Sequence, residues 1–145
     1  LGFKVLVVTN QSGVARGFFP EEFVVETHQK IKEMLKSYDA IIDGFYYCPH
    51  HPQGSVPEYT LDCSCRKPKM GMLKKAEREF NLDLKKCYLV GDHQADIILG
   101  KNGHLKTVLV LTGHGKEEWQ NKVWDEKPDF IANDLTEAVA WIVKN

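Results

Sequence analysis

The sequence predicts an α/β fold in which a mostly parallel, Rossmann-like sheet carries helices on both faces. Short β-branched runs alternate with amphipathic helical stretches along all 145 residues, and this alternation is typical of parallel sheets with helical crossovers. Polar clusters fall at strand ends, at residues 9–13, 65–68 and 91–96. Because such folds bind ligands at the carboxyl ends of their strands, these clusters indicate a functional edge of the sheet.

The individual elements follow from hydrophobic periodicity and helix-start signals. Strands are predicted at Phe3–Val8, Ile41–Tyr47, Cys87–Val90, Thr107–Leu111 and Phe130–Ile131. Helices are predicted from Pro20 to about Ser37, over Gly71–Phe80, around Ile97–Leu99, and from an Asp134 cap to about Val143. The length suits one hydrophobic core, so we expect a single domain over residues 1–145 without a large cap domain.

Several side chains are expected to serve packing alone. The first helix is predicted to bury one apolar face, made of Phe23, Thr27, Ile31, Met34 and Leu35. His28 is placed on the outer face of that helix, in solvent. The three tryptophans are expected to pack in the core, and they are Trp119, Trp124 and Trp141.

Cysteine and histidine concentrate in one loop. Cys48 and His50 stand two residues apart, as do Cys63 and Cys65. Such pairs can turn both donors toward one ion, and three thiols with one imidazole suit a closed, structural Zn²⁺ site. The intervening segment is rich in proline and glycine and has little apolar periodicity, so a metal would order it.

Alternatives to this zinc loop, residues 48–65, stay open. The cysteines could form two disulfides or remain free thiols, but nothing marks the chain as secreted, which disfavours disulfides. His51 competes with His50 as the fourth ligand, although His50 mirrors the spacing of the other pair. Cys87 stands apart and is predicted to be a small core residue.

Charge and hydropathy exclude two classes of partner. The formal net charge is −1, which gives no electrostatic case for nucleic acid or an anionic membrane. Apolar runs such as Val5–Val8 are too short to span a bilayer or to act as a signal peptide. We therefore expect a cytoplasmic, reducing location, whereas the oligomeric state is not predicted.

The polar clusters together favour phosphate and Mg²⁺ as ligands. The Thr9 hydroxyl and the backbone N–H groups of the turn after it can hold phosphate oxygens. Lys67 supplies a point charge, and Arg66 offers a bidentate fork for a second anion. Asp92 can hold Mg²⁺ with Asp96 in support one helical turn later. Each has a plainer alternative: an ordinary turn, solvated charges, or a helix N-cap at Asp92.

The chain resembles the haloacid dehalogenase superfamily of phosphatases. Thr9-Asn10-Gln11 matches the second motif of that superfamily, Lys67 the third, and Gly91-Asp92-x-x-x-Asp96 the fourth. More narrowly it is similar to the heptose 1,7-bisphosphate phosphatases. The stretches that carry this similarity are Thr9–Gly17, Tyr47–Gly54, Cys65–Pro68 and Val110–Gly113.

The resemblance implies an Mg²⁺-dependent removal of the C7 phosphate from heptose 1,7-bisphosphate, a small phosphorylated sugar on the way to lipopolysaccharide core or surface-layer sugars. Thr9 and Asn10 would hold the phosphoryl group, Lys67 would neutralise its charge, and Asp92 with Asp96 would bind Mg²⁺. Zinc would shape the substrate wall without taking part in bond breaking. The implied substrate-binding residues are Gln11, Ser12, Arg16, Arg66 and His93.

Two features depart from the family pattern. The first motif, Asp-x-Asp-Gly-Thr, carries the nucleophile and general acid, and the earliest aspartate here is Asp39. We therefore expect a chain truncated at its N-terminus, inactive alone, lacking the first and central strand, and prone to low stability or self-association. His93 stands where the family has lysine and can bind phosphate only when protonated.

Two other functions stay open. Histidinol-phosphate phosphatases share the Cys-x-His and Cys-x-Cys pairs, but the loop between those pairs is markedly shorter than residues 51–62. A zinc-stapled module that binds phosphorylated sugars without turnover is the alternative from a different class. The missing nucleophile favours this module, and the phosphate-binding motifs favour an enzyme.

Overall fold

The structure, a computed structural model, describes residues 2–145 and divides into two compact units. The first unit ends at Glu79 and the second runs from Phe80 to Asn145. Every strand pairing is parallel, in agreement with the predicted α/β class. None of the helices in this described part combines the length and apolar character that a membrane span requires. A single domain over 1–145 stays a prediction.

The first unit is built on a two-stranded parallel sheet. Its elements are β1 (Leu6–Asn10), α1 (Glu21–Lys36), β2 (Gly44–Cys48) and α2 (Gly71–Phe80), with a 3₁₀ turn at Pro57–Tyr59. Phe80, the last residue of α2, is counted with the second unit. The register places Asn10 beside Cys48. Both strands therefore end at the same edge of the sheet, and the loops that follow them begin side by side.

The second unit is built on a three-stranded parallel sheet in the order β3-β4-β5. Its elements are β3 (Tyr88–Gly91), α3 (Gln94–Asn102), β4 (Lys106–Val110), α4 (Gly115–Gln120), β5 (Phe130–Ala132) and α5 (Leu135–Lys144), with a 3₁₀ turn at Leu84–Lys86. Val108 packs with Ala138 of α5, and its neighbour Leu109 packs with Ile97 of α3. Since successive side chains of a strand point to opposite faces, helices cover both faces of this sheet, as predicted.

Strands β1 and β2 each begin three residues later than their apolar runs suggested. Phe3 and Val5 are about half exposed, at 53% and 49%, and pairing with β2 starts only at Leu6. The reason is Asp43, whose carboxylate accepts the Val5 N–H at 2.8 Å and the Lys4 ammonium at 2.9 Å in place of a strand partner. Thr9 and Asn10 consequently lie within β1 rather than in the turn after it.

The buried face of α1 was predicted correctly only in part: Ile31 and Leu35 are partly buried as expected, but Thr27 is exposed. Phe23 and Met34 are 52% and 62% exposed, whereas Val24 is 3% exposed. His28 also belongs to the inner face, and its ring stacks on Phe45 with centroids 4.4 Å apart. Burial, followed by the charge of nearby lysine, lowers the pKa of His28. The prediction of a solvated His28 was therefore wrong.

Other packing expectations are confirmed. The Asp134 carboxylate accepts the N–H of the third residue of α5 at 2.9 Å, which is the predicted N-cap. Trp124 is 8% exposed and packs in the same cluster as Trp119. Trp141 stacks on Phe130 with centroids 5.0 Å apart. The α2 helix begins and ends at the predicted residues.

Asp129 joins three elements of the second unit. Its carboxylate accepts the Thr107 N–H at 2.7 Å, the Thr107 hydroxyl at 2.9 Å and the Lys101 ammonium at 2.8 Å. Partial burial acts to raise the pKa of Asp129, but the hydrogen bonds from Lys101 and Thr107 outweigh it and lower the pKa. The ionised carboxylate thus ties the start of β5 to β4 and α3.

Asp129→Asn should lower the free energy of unfolding at pH 7 by about 1–3 kcal/mol, because hydrogen bonds to a charged group are lost. The folded pKa is depressed, so this stabilisation is complete above the unfolded pKa of about 3.9 and is lost as pH falls through the folded value. Urea titrations at several pH values test this, with Asp125→Asn, at an exposed position, as control. An identical deficit at low and neutral pH would contradict it.

Candidate functional site

The four predicted zinc ligands converge beyond the end of β2. Their ligand atoms all lie within 4.8 Å of one another. The Cys65 Sγ stands 3.0 Å from that of Cys48, 3.2 Å from that of Cys63 and 3.3 Å from His50 Nδ1. A tetrahedral ion with bonds of about 2.0–2.3 Å separates its ligands by roughly 3.4–3.8 Å. The donor set and its dimensions therefore fit Zn²⁺ with little adjustment.

The local backbone explains why these donors converge. Cys48 is fully buried as the last residue of β2, and Cys63 Sγ accepts the Arg66 N–H at 3.3 Å. Gly71 donates its N–H to Ser64 at 2.9 Å, and a Cβ there would stand 2.5 Å from the same carbonyl oxygen. Only glycine allows this close approach, which folds the Cys63–Cys65 turn onto the start of α2.

All four cysteines are free thiols, and two of those in the cluster differ in acidity. Burial raises the pKa of Cys48. For Cys63 burial acts in the same direction, but hydrogen bonds from Cys65, Cys48 and the Arg66 N–H outweigh it and lower the pKa to about 6. Metals bind the thiolate form of cysteine, and these hydrogen bonds favour the thiolate form of Cys63.

His51 is engaged away from the cluster. Its Nδ1 accepts the Gln53 N–H at 3.1 Å, and its Nε2 lies 3.2 Å from Arg16 Nη2. His50 is therefore the imidazole that the geometry offers, as the spacing favoured. Cys87 also lies outside the cluster and donates its thiol to the Asp83 carbonyl at 3.3 Å.

Asn10 joins the end of β1 to the predicted phosphate-binding lysine. Its Oδ1 accepts the Lys67 N–H at 2.9 Å, and its Nδ2 donates to the Lys67 carbonyl at 3.2 Å. The Lys67 ammonium donates to the Val8 carbonyl at 2.9 Å. Thr9 accepts a hydrogen bond from the Gln11 side chain at 3.0 Å. The structure thus brings together the motif residues of the first unit, with a cation beside the strand end.

Two arginines add positive charge to this unit. Arg66 donates to the His50 carbonyl at 3.4 Å, and the turn that presents Arg16 is closed by its N–H bonding the Ser12 carbonyl at 3.0 Å. The pKa of His51 is lowered by burial and then by the charges of Arg66 and Arg16. Both guanidinium groups therefore act on the same imidazole, and they concentrate charge where an anion could bind.

In the second unit, Asp92 follows β3 directly. Its Oδ2 accepts the His114 N–H at 3.0 Å. The adjacent Gly113 has φ +58°, and a Cβ there would stand 2.2 Å from the same Oδ2. Glycine is required at this position for both reasons. The backbone after β4 therefore holds the Asp92 carboxylate in place.

The helix N-cap proposed as a plain role for Asp92 belongs to His93 instead. The His93 Nδ1 accepts the Ala95 N–H at 3.2 Å, while the Asp96 carboxylate accepts the His93 N–H at 3.2 Å, a capping box. Asp96 is 5% exposed and packs so closely that a Cβ on Gly91 would overlap it. Asp96 thus fixes the loop that carries Asp92.

Glu118 completes this arrangement, and no motif revealed it. Since His93 Nδ1 accepts a hydrogen bond, its Nε2 carries the ring proton and donates to Glu118 Oε1 at 3.0 Å. The other oxygen of Glu118 accepts the Gln94 N–H at 3.1 Å. These three residues line a cavity of about 300 Å³ with His114 and Trp124. Glu118 of α4 thereby fastens the first turn of α3.

Comparison with known proteins agrees with this geometry. The profile of the HAD-hydrolase-like family matches residues 64–138, more than half of the chain. The chain belongs to this family. Over 114 residues it is 45% identical to the D-glycero-beta-D-manno-heptose-1,7-bisphosphate 7-phosphatase of Pasteurella multocida, covering 78% of this chain and 61% of that protein. The chain thus spans about three-fifths of the length of that curated relative.

A second relative and one solved structure extend the similarity of this HAD-hydrolase-like chain. The enzyme of the same name from Haemophilus ducreyi is 38% identical over 143 residues, covering 97% of this chain and 76% of that protein. The D,D-heptose 1,7-bisphosphate phosphatase from B. bronchiseptica, complexed with magnesium and phosphate, superposes with a TM-score of 0.83. That match is 28% identical and covers 97% of this chain and 74% of the other. The predicted family and fold are confirmed.

Glu118→Ala should loosen the start of α3, because the Gln94 N–H and the His93 ring lose their shared acceptor. We expect unfolding to become easier by about 1–2 kcal/mol and the Gln94 amide to exchange hydrogen faster. Glu117→Ala, on the same helix and lining the same cavity, is the matched control. Equal protection of Gln94 in the two variants would show that Glu118 does not fasten this turn.

Proposed function

We propose that this chain carries the phosphate- and metal-binding residues of an Mg²⁺-dependent phosphatase that removes the C7 phosphate of D-glycero-D-manno-heptose 1,7-bisphosphate. The observation that carries the proposal is the two-point hydrogen bond of Asn10 to the Lys67 backbone, which accompanies a cation held against the Val8 carbonyl near the end of β1. The names of the relatives support the reaction and its substrate.

The roles of individual residues follow from the chemistry they present. Thr9 and Asn10 would hold oxygens of the transferring phosphoryl group, and Lys67 would offset its charge. Arg16 and Arg66, which act on the same imidazole, would grip the second phosphate of a bisphosphate. Gln11 and Ser12 would orient these groups through their bonds to Thr9 and Arg16.

The second unit would supply the Mg²⁺ site. Asp92, held by a backbone N–H, fits a hard cation that prefers carboxylate and water oxygens. Buried Asp96 would support it by fixing the loop. When bound, Mg²⁺ would neutralise charge on the phosphoryl oxygens. His93 would reach phosphate only after releasing Glu118.

The cluster of Cys48, His50, Cys63 and Cys65 would hold a structural Zn²⁺ ion, since four protein ligands leave no open position for chemistry. The ion would staple the loop that forms part of the substrate wall. This use of thiolates suits a reducing, cytoplasmic setting, where thiols stay reduced. The product of the reaction would serve the synthesis of lipopolysaccharide core or surface-layer sugars.

The chain should bind one Zn²⁺, and Cys65→Ser should weaken binding by more than about 100-fold, beyond the 10–100-fold effect typical of groups outside the ligand set. The melting temperature should fall with it, because metal binding contributes folding free energy. Competition with a chelator and thermal melts measure both quantities. Cys87→Ser removes a thiol outside the cluster, so similar losses in that variant would rule the cluster out.

A second candidate function is binding without turnover. One sequence observation favours it: the 145 residues contain no Asp-x-Asp-Gly-Thr segment to supply an attacking carboxylate. Under this second candidate the protein binds the phosphorylated sugar and releases no phosphate even when such a segment is supplied, whereas under the first candidate supplying the segment starts release. The two candidates share their ligand and differ in phosphate release.

Phosphate release from heptose 1,7-bisphosphate with Mg²⁺ separates the two candidates, with histidinol phosphate as the competing substrate. The 145-residue chain should bind the heptose bisphosphate without releasing phosphate, and Lys67→Ala should weaken binding about tenfold or more through loss of a charge-assisted contact. Supplying an Asp-x-Asp-Gly-Thr segment ahead of Leu1 should start release, and Asp92→Asn should stop it.

Two outcomes would change this view. Turnover by the 145 residues alone, abolished by Asp92→Asn, would mean that a carboxylate within them attacks phosphorus. Failure to bind the heptose bisphosphate, with or without Mg²⁺, would refute the proposed substrate. Asp125→Asn, at an exposed position, controls for a general effect of lost negative charge.

A further inference from the structure

One carboxylate in the first unit is held by two phenols. Glu21 is the first residue of α1. Its Oε1 accepts the Tyr47 hydroxyl and its Oε2 accepts the Tyr59 hydroxyl, each at 2.8 Å. The Glu21 clamp, formed by Glu21, Tyr47 and Tyr59, therefore joins the start of α1, strand β2 and the 3₁₀ turn of the zinc loop.

The chemistry of the clamp favours a stable link. A carboxylate is well placed in the first turn of a helix, where the backbone dipole is positive. Phenol hydrogen bonds to a carboxylate are charge-assisted and stronger than neutral ones. Burial, then the contact with Glu21, raises the pKa of Tyr47 to about 12, so this hydroxyl remains a donor at neutral pH.

The clamp lies near the C-terminal end of loop 51–62, which contacts the segment that carries Arg16, a predicted substrate-binding residue. The Tyr59 carbonyl accepts the His51 N–H at 3.1 Å, and His51 in turn contacts Arg16 at 3.2 Å. Further along, the N–H groups of Ser55 and Val56 both donate to the Ala15 carbonyl, at 2.7 and 3.0 Å. The loop is thus bonded to Ala15, the neighbour of Arg16, and its His51 ring lies beside the Arg16 guanidinium.

We propose that Glu21 is a positioning residue, which holds loop 51–62 through Tyr47 and Tyr59 and thereby orients Arg16 for the second phosphate of a bisphosphate substrate. The selectivity step rests on the proposed function, whereas the clamp itself rests on the hydrogen bonds alone. Both tyrosine hydroxyls donate to Glu21, and the Tyr59 backbone bonds His51, so the loop backbone links the clamp to the Arg16 segment. The Tyr59 ring also lies beside His50, with centroids 6.3 Å apart.

Amide hydrogen exchange tests the clamp independently of substrate and metal. Tyr59→Phe removes one hydroxyl and preserves the ring, so loop opening should become about 10–100-fold more favourable. Exchange at His51, Ser55 and Val56 should accelerate accordingly, while Leu105, bonded to Gly100 in the second unit, should not change. Tyr38→Phe makes the same deletion on a ring that is 80% exposed. Equal exchange in the two variants would overturn the clamp.

A double-mutant cycle separates the hydrogen bond from ring packing. Glu21→Ala should accelerate loop exchange, and adding Tyr59→Phe should then have little further effect because its partner is already gone. Glu22→Ala removes the neighbouring acid from the same first turn and controls for the helix dipole. Fully additive effects of the two changes would show that Tyr59 does not act through Glu21.

Selectivity is read from the ratio of affinities for heptose 1,7-bisphosphate and heptose 7-phosphate. Tyr59→Phe should lower this ratio about tenfold, a shift that a general loss of stability would not produce, and Tyr38→Phe should leave it unchanged. An unchanged ratio despite faster exchange would refute the selectivity step. If the unmodified chain binds neither sugar, the proposed function and the selectivity step both fail, and exchange still decides the clamp.

Discussion

The meeting of three thiols and one imidazole within 4.8 Å is the constraint on which the first unit depends. It joins the end of β2 to the turn before α2, and the loop between them has little apolar periodicity to hold it in place. The same turn continues into Lys67, whose backbone is held at both its N–H and its carbonyl by Asn10. The metal cluster and Asn10 thus hold the two ends of the segment Cys63–Lys67. Together they set the direction of the Lys67 ammonium.

The features that the sequence could predict are those that depend on the spacing of residues close together in the chain. The two i, i+2 pairs indicated the metal cluster, and alternating strand and helix patterns indicated the α/β class and the extent of α2. The starts of β1 and β2 were missed because apolar residues continue ahead of the positions where strand pairing begins. There the Asp43 carboxylate accepts the Val5 N–H in place of a backbone carbonyl, and the strand pairing stops. No local sequence pattern indicates that a side chain replaces the strand partner.

Local sequence patterns also could not predict side-chain contacts between residues far apart in the chain. Glu21 and Glu118 appear as ordinary acids in the first turns of helices. Their partners lie 26 and 38 residues away for Glu21, and 24 residues away for the Gln94 contact of Glu118. Phe23 was wrongly placed on the buried face of α1 for a related reason: Phe23 and Val24 are adjacent and both apolar, and only packing selects Val24 for the interior.

The replacement of the family lysine by His93 changes how charge is distributed over the candidate site. Because His93 caps α3 with one ring nitrogen and donates to Glu118 with the other, its ring serves the loop and brings a carboxylate with it. Under the proposed function, the positive side chains that would face phosphate, beside the Mg²⁺ ion, are then Lys67, Arg16 and Arg66. Anion binding then depends more on whatever holds these three side chains in place. Three features do so: the hydrogen bonds of Asn10, the metal cluster, and the loop held by Glu21.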